Sequence, residues 1–138
     1  GRPPKGDYLE NFTDAIVSGF KAMAMILAYL MVFTIGINIL EHLGVFSVIN
    51  NQGVAASFKG IFEMTIGINL VGMCDMGIRL KSVIAAFLVS VGGLSVAGQS
   101  MSMARGSGIG LADILKIKLT HGMIAAIITT ILIHIVVI

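Results

Sequence analysis

The sequence predicts an all-α, polytopic integral membrane protein with discontinuous helices and a re-entrant hairpin. Of its 138 residues, 57% are hydrophobic and 12% are charged, whereas a soluble domain carries roughly 25% charged residues. Long apolar runs continue to Ile138, and two of them are interrupted by glycine and polar residues. Because irregular backbone at membrane depth is tolerated only next to protein or a water-filled cavity, these interruptions are candidate functional segments.

The first spanning helix is predicted at about residues 21–41. The chain begins GRPPKG, which is typical of a linker or tag, so residues 1–7 are predicted to be linker, tag or disordered. Residues 8–20 are mildly amphipathic and predict a short interfacial helix. The uncharged run over residues 22–40 follows, and at a rise of 1.5 Å per residue it spans roughly 28 Å, about one hydrocarbon core.

Residues 45–74 predict a broken or re-entrant element. The turn sequence NNQG at residues 50–53 interrupts one apolar stretch, and Glu63 interrupts the next. Apolar segments of about 10–14 residues are more often re-entrant or interfacial than spanning. The pentapeptide TIGIN occurs at both 34–38 and 65–69, but it is short enough to recur by chance.

Two further spans are predicted at about 82–104 and 119–138. The first lies between Lys81 and Arg105, and its centre contains the adjacent glycines Gly92 and Gly93. Each glycine lowers helix propensity by about 1 kcal/mol relative to alanine, which predicts a helix broken at this point. The connector over residues 105–118 is predicted to be a glycine-rich turn followed by a short amphipathic helix.

Composition and spacing argue against several classes of function. The net charge of +2 is small and scattered, so a nucleic-acid partner is not expected. Cys74 is the sole cysteine and can form no internal disulfide. His121 and His134 face nearly opposite directions on one helix, so neither a metal site nor another cofactor is expected. No nucleophile motif is present in the sequence, and we do not expect an enzyme.

The candidate site consists of the two polar, glycine-bearing segments. An ionisable residue at membrane depth, such as Glu63, marks a functional position by default, and two interrupted segments are typical of secondary transporters. Two alternatives remain open: Glu63 pairs with Lys59 one turn earlier at the membrane surface, and the glycines serve close helix packing. The candidate substrate-binding residues are Glu63, Thr65, Gly67, Asn69, Gly92, Gly93, Ser95, Gln99 and Ser100.

Three stretches carry a resemblance to a known family. They are GFKAMAMILAYLMVFTIGINILEHLGVF at 19–46, GIFEMTIG at Gly60–Gly67, and VGGLSVAGQ at Val91–Gln99. With these stretches the chain resembles the nucleoside-recognition, or gate, domain membrane proteins. Within this group, the chain most resembles the sporulation integral membrane and spore-maturation proteins. The resemblance covers nearly all of residues 10–138.

The resemblance implies one half of an inverted-repeat transporter related to concentrative nucleoside carriers. The implied solute is small and polar or anionic, either nucleoside-like or a heteroaromatic carboxylate, and H⁺ or Na⁺ is the implied coupling ion. The implied partners are the lipid bilayer and a second gate-like half, which is supplied by a longer chain, a second subunit or a second copy. The implied location is a bacterial inner or forespore membrane. A non-transporting assembly subunit and a channel-like pore remain alternatives.

Overall fold

Six helices account for most of the chain that the computed structural model describes, which is residues 7–136. The linker predicted over residues 1–7 falls outside this range except for Asp7, as do the last two residues of the predicted third span. No strand occurs within residues 7–136. In chain order the helices are α1 (Asp7–His42), α2 (Gln52–Phe62), α3 (Met64–Met73), α4 (Ile78–Val91), α5 (Gly93–Met103) and α6 (Leu111–Val136).

Helix α1 is continuous over 36 residues, where the sequence predicts an interfacial helix followed by a span. Nothing in the sequence between these two segments stops a helix, because Gly19 is tolerated within it and proline is absent there. At 1.5 Å per residue the helix is about 54 Å long, well beyond a hydrocarbon core of about 30 Å. Residues 8–21 are exposed throughout, so only the second half of α1 contributes to the packed body.

Helices α2 and α3 form an antiparallel hairpin. Asn51 caps the start of α2, because its side-chain oxygen accepts a hydrogen bond of 3.1 Å from the backbone N–H of Val54. Near the turn, Gly60 and Gly67 bring the two backbones into direct contact, and a Cβ atom added to Gly67 would overlap the Cα atom of Gly60. Two short helices therefore lie closer together than larger side chains would allow.

The hairpin packs on α4 through a small apolar core. The buried members of this core are Ala56 of α2, Val71 of α3, Leu88 of α4 and Cys74, which follows α3. The side chain of Leu88 lies directly over Gly60 and is 1% exposed. Burial of a leucine side chain contributes about 1.5–3 kcal/mol, so this contact is a main attachment of the hairpin to the rest of the protein.

Helices α4 and α6 pack against each other. At this contact, Gly122 of α6 lies against Val91 and Phe87 of α4. Helix α6 is one helix of 26 residues, so the predicted amphipathic helix and third span are joined without a break. Its start is stabilised by Asp113, whose carboxylate accepts a hydrogen bond of 3.3 Å from the backbone N–H of Gly110.

Three segments are long and apolar enough to cross a membrane: Tyr8–His42, Ile78–Met103 (α4 and α5 together) and Leu111–Val136. In two of the three, only 6% of the residues of the apolar stretch are buried, and the others are half-buried or exposed. Large exposed apolar surfaces are unfavourable in water, whereas lipid covers them without cost. The fold is that of an all-helical membrane protein.

Gly67→Ala is expected to lower the free energy of unfolding by about 1–3 kcal/mol, because the added methyl group meets the backbone of Gly60. Chemical denaturation in detergent micelles, followed by circular dichroism, measures the change. Gly72→Ala is the matched control in the same helix, since its methyl group meets no atom within 4 Å. Equal destabilisation by both substitutions would contradict the close hairpin contact.

Candidate functional site

Glu63 forms the turn of the hairpin. Its backbone is extended (φ −141°, ψ 114°), so it ends α2 and starts α3. Its carboxylate caps α3: one oxygen accepts a hydrogen bond of 2.8 Å from the N–H of Ile66, and the other accepts one of 2.9 Å from the hydroxyl of Thr65. Because a negative charge is favoured at a helix N-terminus, this carboxylate is stabilised by its own segment although it is only 3% exposed.

The second interruption lies at Gly92 and Gly93. Gly92 has φ +73° and Gly93 has φ +71°, a left-handed conformation that L-residues rarely adopt. The N–H of Gly92 donates to the carbonyl oxygen of Leu88 at 2.8 Å and closes α4, and α5 starts at the next residue. The helix interruption predicted from these two glycines is therefore present.

The two interruptions meet in space. A Cβ atom added to Gly93 would lie 3.1 Å from the carbonyl oxygens of Gly60 and Ile61 and 3.2 Å from that of Phe62. These are the last carbonyls of α2, and such groups have no partner within their own helix. The start of α5 therefore abuts the carbonyl end of α2, and the missing side chain of Gly93 makes this approach possible.

The other candidate residues differ in burial and in their hydrogen-bond partners. Ser95 is 1% exposed and lies within weak hydrogen-bond distance of Gln99, whose side-chain nitrogen is 3.5 Å from the Ser95 hydroxyl oxygen. Asn69 and Thr65 are exposed on α3, whereas the hydroxyl of Ser100 donates to the backbone of its own helix. The structure thus brings Glu63, Gly67, Gly92, Gly93 and Ser95 into the buried region around the hairpin, and it leaves Asn69 at the outer surface.

Lys59 does not pair with Glu63, so that alternative is wrong. The ammonium group of Lys59 instead binds the carboxylate of Glu41, at the end of α1, with a nitrogen–oxygen distance of 2.7 Å. It also lies 5.1 Å from the centre of the buried Phe46 ring, a cation–π contact. The one-turn spacing of Lys59 and Glu63 indicated a local pair, and no sequence signal identified the distant partner Glu41.

A second contact between distant residues holds α5 against α1. The hydroxyl groups of Tyr29 and Ser102 are 2.6 Å apart and form a hydrogen bond. Gly98, one turn before Ser102, leaves room for the Tyr29 ring. The half-helix that begins at Gly93 is thus fixed at its start by the hairpin and near its end by α1.

Comparisons of the chain with protein-family models, curated proteins and solved structures give no match. Within residues 7–136, no group of three or more His, Cys, Asp or Glu side chains is placed to hold a metal ion. The fold and site together define an all-helical membrane protein in which a helical hairpin meets an interrupted helix.

Glu41→Gln is expected to destabilise the protein by about 1–3 kcal/mol, more than Lys59→Met does. The Lys59 side chain is 10% exposed and that of Glu41 is 56% exposed. Glu41→Gln therefore leaves a buried lysine charge without its partner, whereas Lys59→Met leaves a glutamate that water still solvates. Thermal unfolding in micelles measures both variants, and the double variant should recover most of the loss. Equal effects of the two single substitutions would contradict this description of the pair.

Proposed function

We propose that the chain is the solute-binding domain of a secondary transporter, with its site where the hairpin turn meets the interrupted helix. The contact between Gly93 and the carbonyl end of α2 carries this proposal, because it joins two helix interruptions at one point. Discontinuous helices that meet near the bilayer midplane form the solute and ion sites of many secondary transporters. The ends of such helices offer polar backbone groups to a solute without unfolding of the surrounding helices.

The lengths of the hairpin helices support a re-entrant arrangement. Helices α2 and α3 have 11 and 10 residues, so each extends about 15–16 Å, which is half of a hydrocarbon core. In the proposed arrangement the hairpin enters from one membrane surface, turns at Glu63 near the midplane and returns to the same surface. Gly92 lies near the middle of the Ile78–Met103 segment, so both interruptions occur at a similar depth.

An apolar groove beside the turn supports a solute with a ring. The groove has a volume of about 400 Å³ and runs between Val32, Ile37 and neighbouring residues of α1 and Phe62 of α2. In the proposal, a nucleoside-like or heteroaromatic solute packs its ring in this groove, and its polar groups reach Glu63 and the start of α5. Ser95 and Gln99 supply further hydrogen bonds, and Na⁺ or H⁺ couples transport.

The partner in this proposal is the one that the family resemblance implies. A second gate-like half faces the hairpin and covers the exposed amide side chain of Asn69, which lipid alone would leave without hydrogen-bond partners. Movement of the two halves past each other then exposes the site alternately to each side of a bacterial inner or forespore membrane.

A non-transporting assembly subunit is the second candidate, and glycine-mediated packing favours it. Gly67 packs on Gly60, Gly98 on Tyr29, and Gly122 on Val91, as expected where small residues permit close helix contact. In this role the contact between the two helix interruptions makes the subunit rigid, and water does not reach that contact.

Amide hydrogen exchange in lipid nanodiscs distinguishes these two functions. A solute site open to water is expected to let the amides of residues 92–95 exchange about tenfold faster than those in the middle of α4, because the interrupted backbone opens locally. The central residues of α6 serve as an uninterrupted reference. Exchange over residues 92–95 as slow as in this reference would favour the assembly subunit.

Glu63→Gln and Gln99→Ala are each expected to reduce solute uptake about tenfold when the chain is reconstituted with its partner half, because each removes a hydrogen bond near the site. Uptake of labelled uridine and labelled nicotinate into vesicles measures the effect. Thr130→Ala is the control, since the Thr130 hydroxyl bonds only to the backbone of its own exposed helix face. Unchanged uptake in both site variants would refute the transporter assignment.

A further inference from the structure

One side of α1 is exposed along most of the helix. Its exposed side chains recur every three or four residues, which is the spacing of one helix face, and we call them the α1 stripe. Between residues 9 and 27 the stripe consists of Leu9, Phe12, Ile16, Phe20, Met23 and Leu27. All six are more than half exposed, so this face has no cover in the single chain.

The α1 stripe continues into the second half of the helix. Met31, Ile35 and Asn38 follow at the same spacing and are also exposed. From residue 9 to residue 38 the stripe is about 44 Å long, and Asn38 is the polar residue at its end.

The side of α1 that packs on the rest of the protein is a different one. Ile37 is 2% exposed, Phe33 is half-buried, and Tyr29 bonds to Ser102 of α5. With 3.6 residues per turn, the centre of these contacts lies roughly 110° around the helix from the α1 stripe. The packed helices therefore leave the stripe open to a partner.

The α1 stripe extends from the hydrocarbon core into water. The uncharged run over residues 22–40 ends at Lys21, so the part of the stripe before it lies outside the core. Leu9 is about 18 Å from Lys21 along the continuous helix. Lipid chains cover residues 23–38 of the stripe, but the exposed Leu9, Phe12 and Ile16 lie in water, which is unfavourable.

The charges of this half of α1 do not suit a helix that lies flat on the membrane. Glu10 and Asp14 are on the opposite side from the stripe. Helices that lie on membrane surfaces carry Lys and Arg on the polar face, because the lipid headgroups are on average negatively charged. An acidic polar face favours a protein partner over the membrane surface.

A second copy of α1 has the properties that this partner needs. It presents an apolar face that continues from water into the hydrocarbon core over the same length. Parallel, in-register pairing places Glu10, Asp14 and Lys21 of each copy on the outer side, more than about 100° from the contact, so no like charges meet. The Asn38 amide has no hydrogen-bond partner in the part of the chain that the structure describes, and an amide both donates and accepts. Two Asn38 side chains can therefore bond to each other.

We propose that the α1 stripe is the interface of a homodimer, in which two copies in the same membrane orientation pack α1 against α1 in parallel and in register. The paired Asn38 amides fix the register, as a single asparagine does in coiled coils. Glu41, the next residue at this spacing, is bound to Lys59 of its own chain. No residue of the hairpin takes part, so the dimer goes beyond the proposed function and does not depend on it.

Disulfide formation between identical positions tests the dimer in lipid vesicles. Cys74→Ala removes the native thiol, and Ile16→Cys or Ile35→Cys places one thiol on the stripe. Asp14→Cys and Val32→Cys are the matched controls, because each is exposed on the opposite side of the same half of α1. After oxidation, the disulfide-linked fraction on non-reducing gels is expected to be at least fivefold higher for both stripe positions than for the controls, since a disulfide needs a close approach.

Equal linkage at stripe and control positions, or none on the stripe, would overturn the dimer. Linkage at only one of residues 16 and 35 would also overturn it, because a pair of opposite orientation meets at a single crossing point.

A tryptophan probe tests what covers the stripe while Cys74 stays in place. The chain contains no tryptophan, so Phe12→Trp gives one fluorescent residue outside the hydrocarbon core. In the dimer its emission is expected at short wavelength and unaffected by brominated lipids. Quenching by these lipids would identify lipid as the cover, and emission typical of tryptophan in water would identify a bare helix. Either result would contradict the proposal.

The role of Asn38 is tested by energy transfer between labelled copies in vesicles. Asn38→Leu is expected to raise the dissociation constant of the dimer about three- to tenfold, because the hydrogen bonds between the helices are lost. Asn38→Gln keeps an amide and is expected to stay close to the native value. An unchanged dissociation constant in Asn38→Leu would contradict the in-register pairing.

Discussion

The fold depends on backbone contact at three glycines. Gly60 and Gly67 let the two arms of the hairpin touch, and Gly93 lets the next interrupted helix rest on the end of the first arm. A side chain at any of these positions would separate helices that otherwise pack at van der Waals distance. Because these contacts lie near the Glu63 turn, they also fix where the polar ends of three helical segments meet.

Two charged residues of the packed region are stabilised in different ways. Glu63 is bonded within its own segment, where the start of α3 provides an N–H group, a hydroxyl group and a favourable dipole. Lys59 depends on Glu41, a residue of another helix, and thereby ties the hairpin to α1. Both interactions stabilise the folded structure.

Local chemistry made the helix interruptions predictable from the sequence. Paired glycines favour a left-handed backbone, and a carboxylate within an apolar stretch is suited to cap a helix. The NNQG turn likewise marked the start of α2. These signals act within a few residues, so a single sequence contains them. The solute, the second half and the re-entrant arrangement stay predictions.

Contacts between distant residues were not predictable in the same way. The spacing of Lys59 and Glu63 suggested a pair that does not form, since the choice of Glu41 depends on how α1 approaches the hairpin. The continuity of α1 and α6 was also missed, because polar residues near a helix end resemble a boundary.

The local capping of Glu63 has a consequence for recognition. Since both carboxylate oxygens are held by residues of the adjoining turn, the shape of the hairpin does not depend on a bound molecule. A preorganised receptor loses little conformational entropy when a ligand arrives. In the proposed solute site, affinity at this turn is determined by desolvation and by the fit of the solute, and not by the cost of ordering the polypeptide.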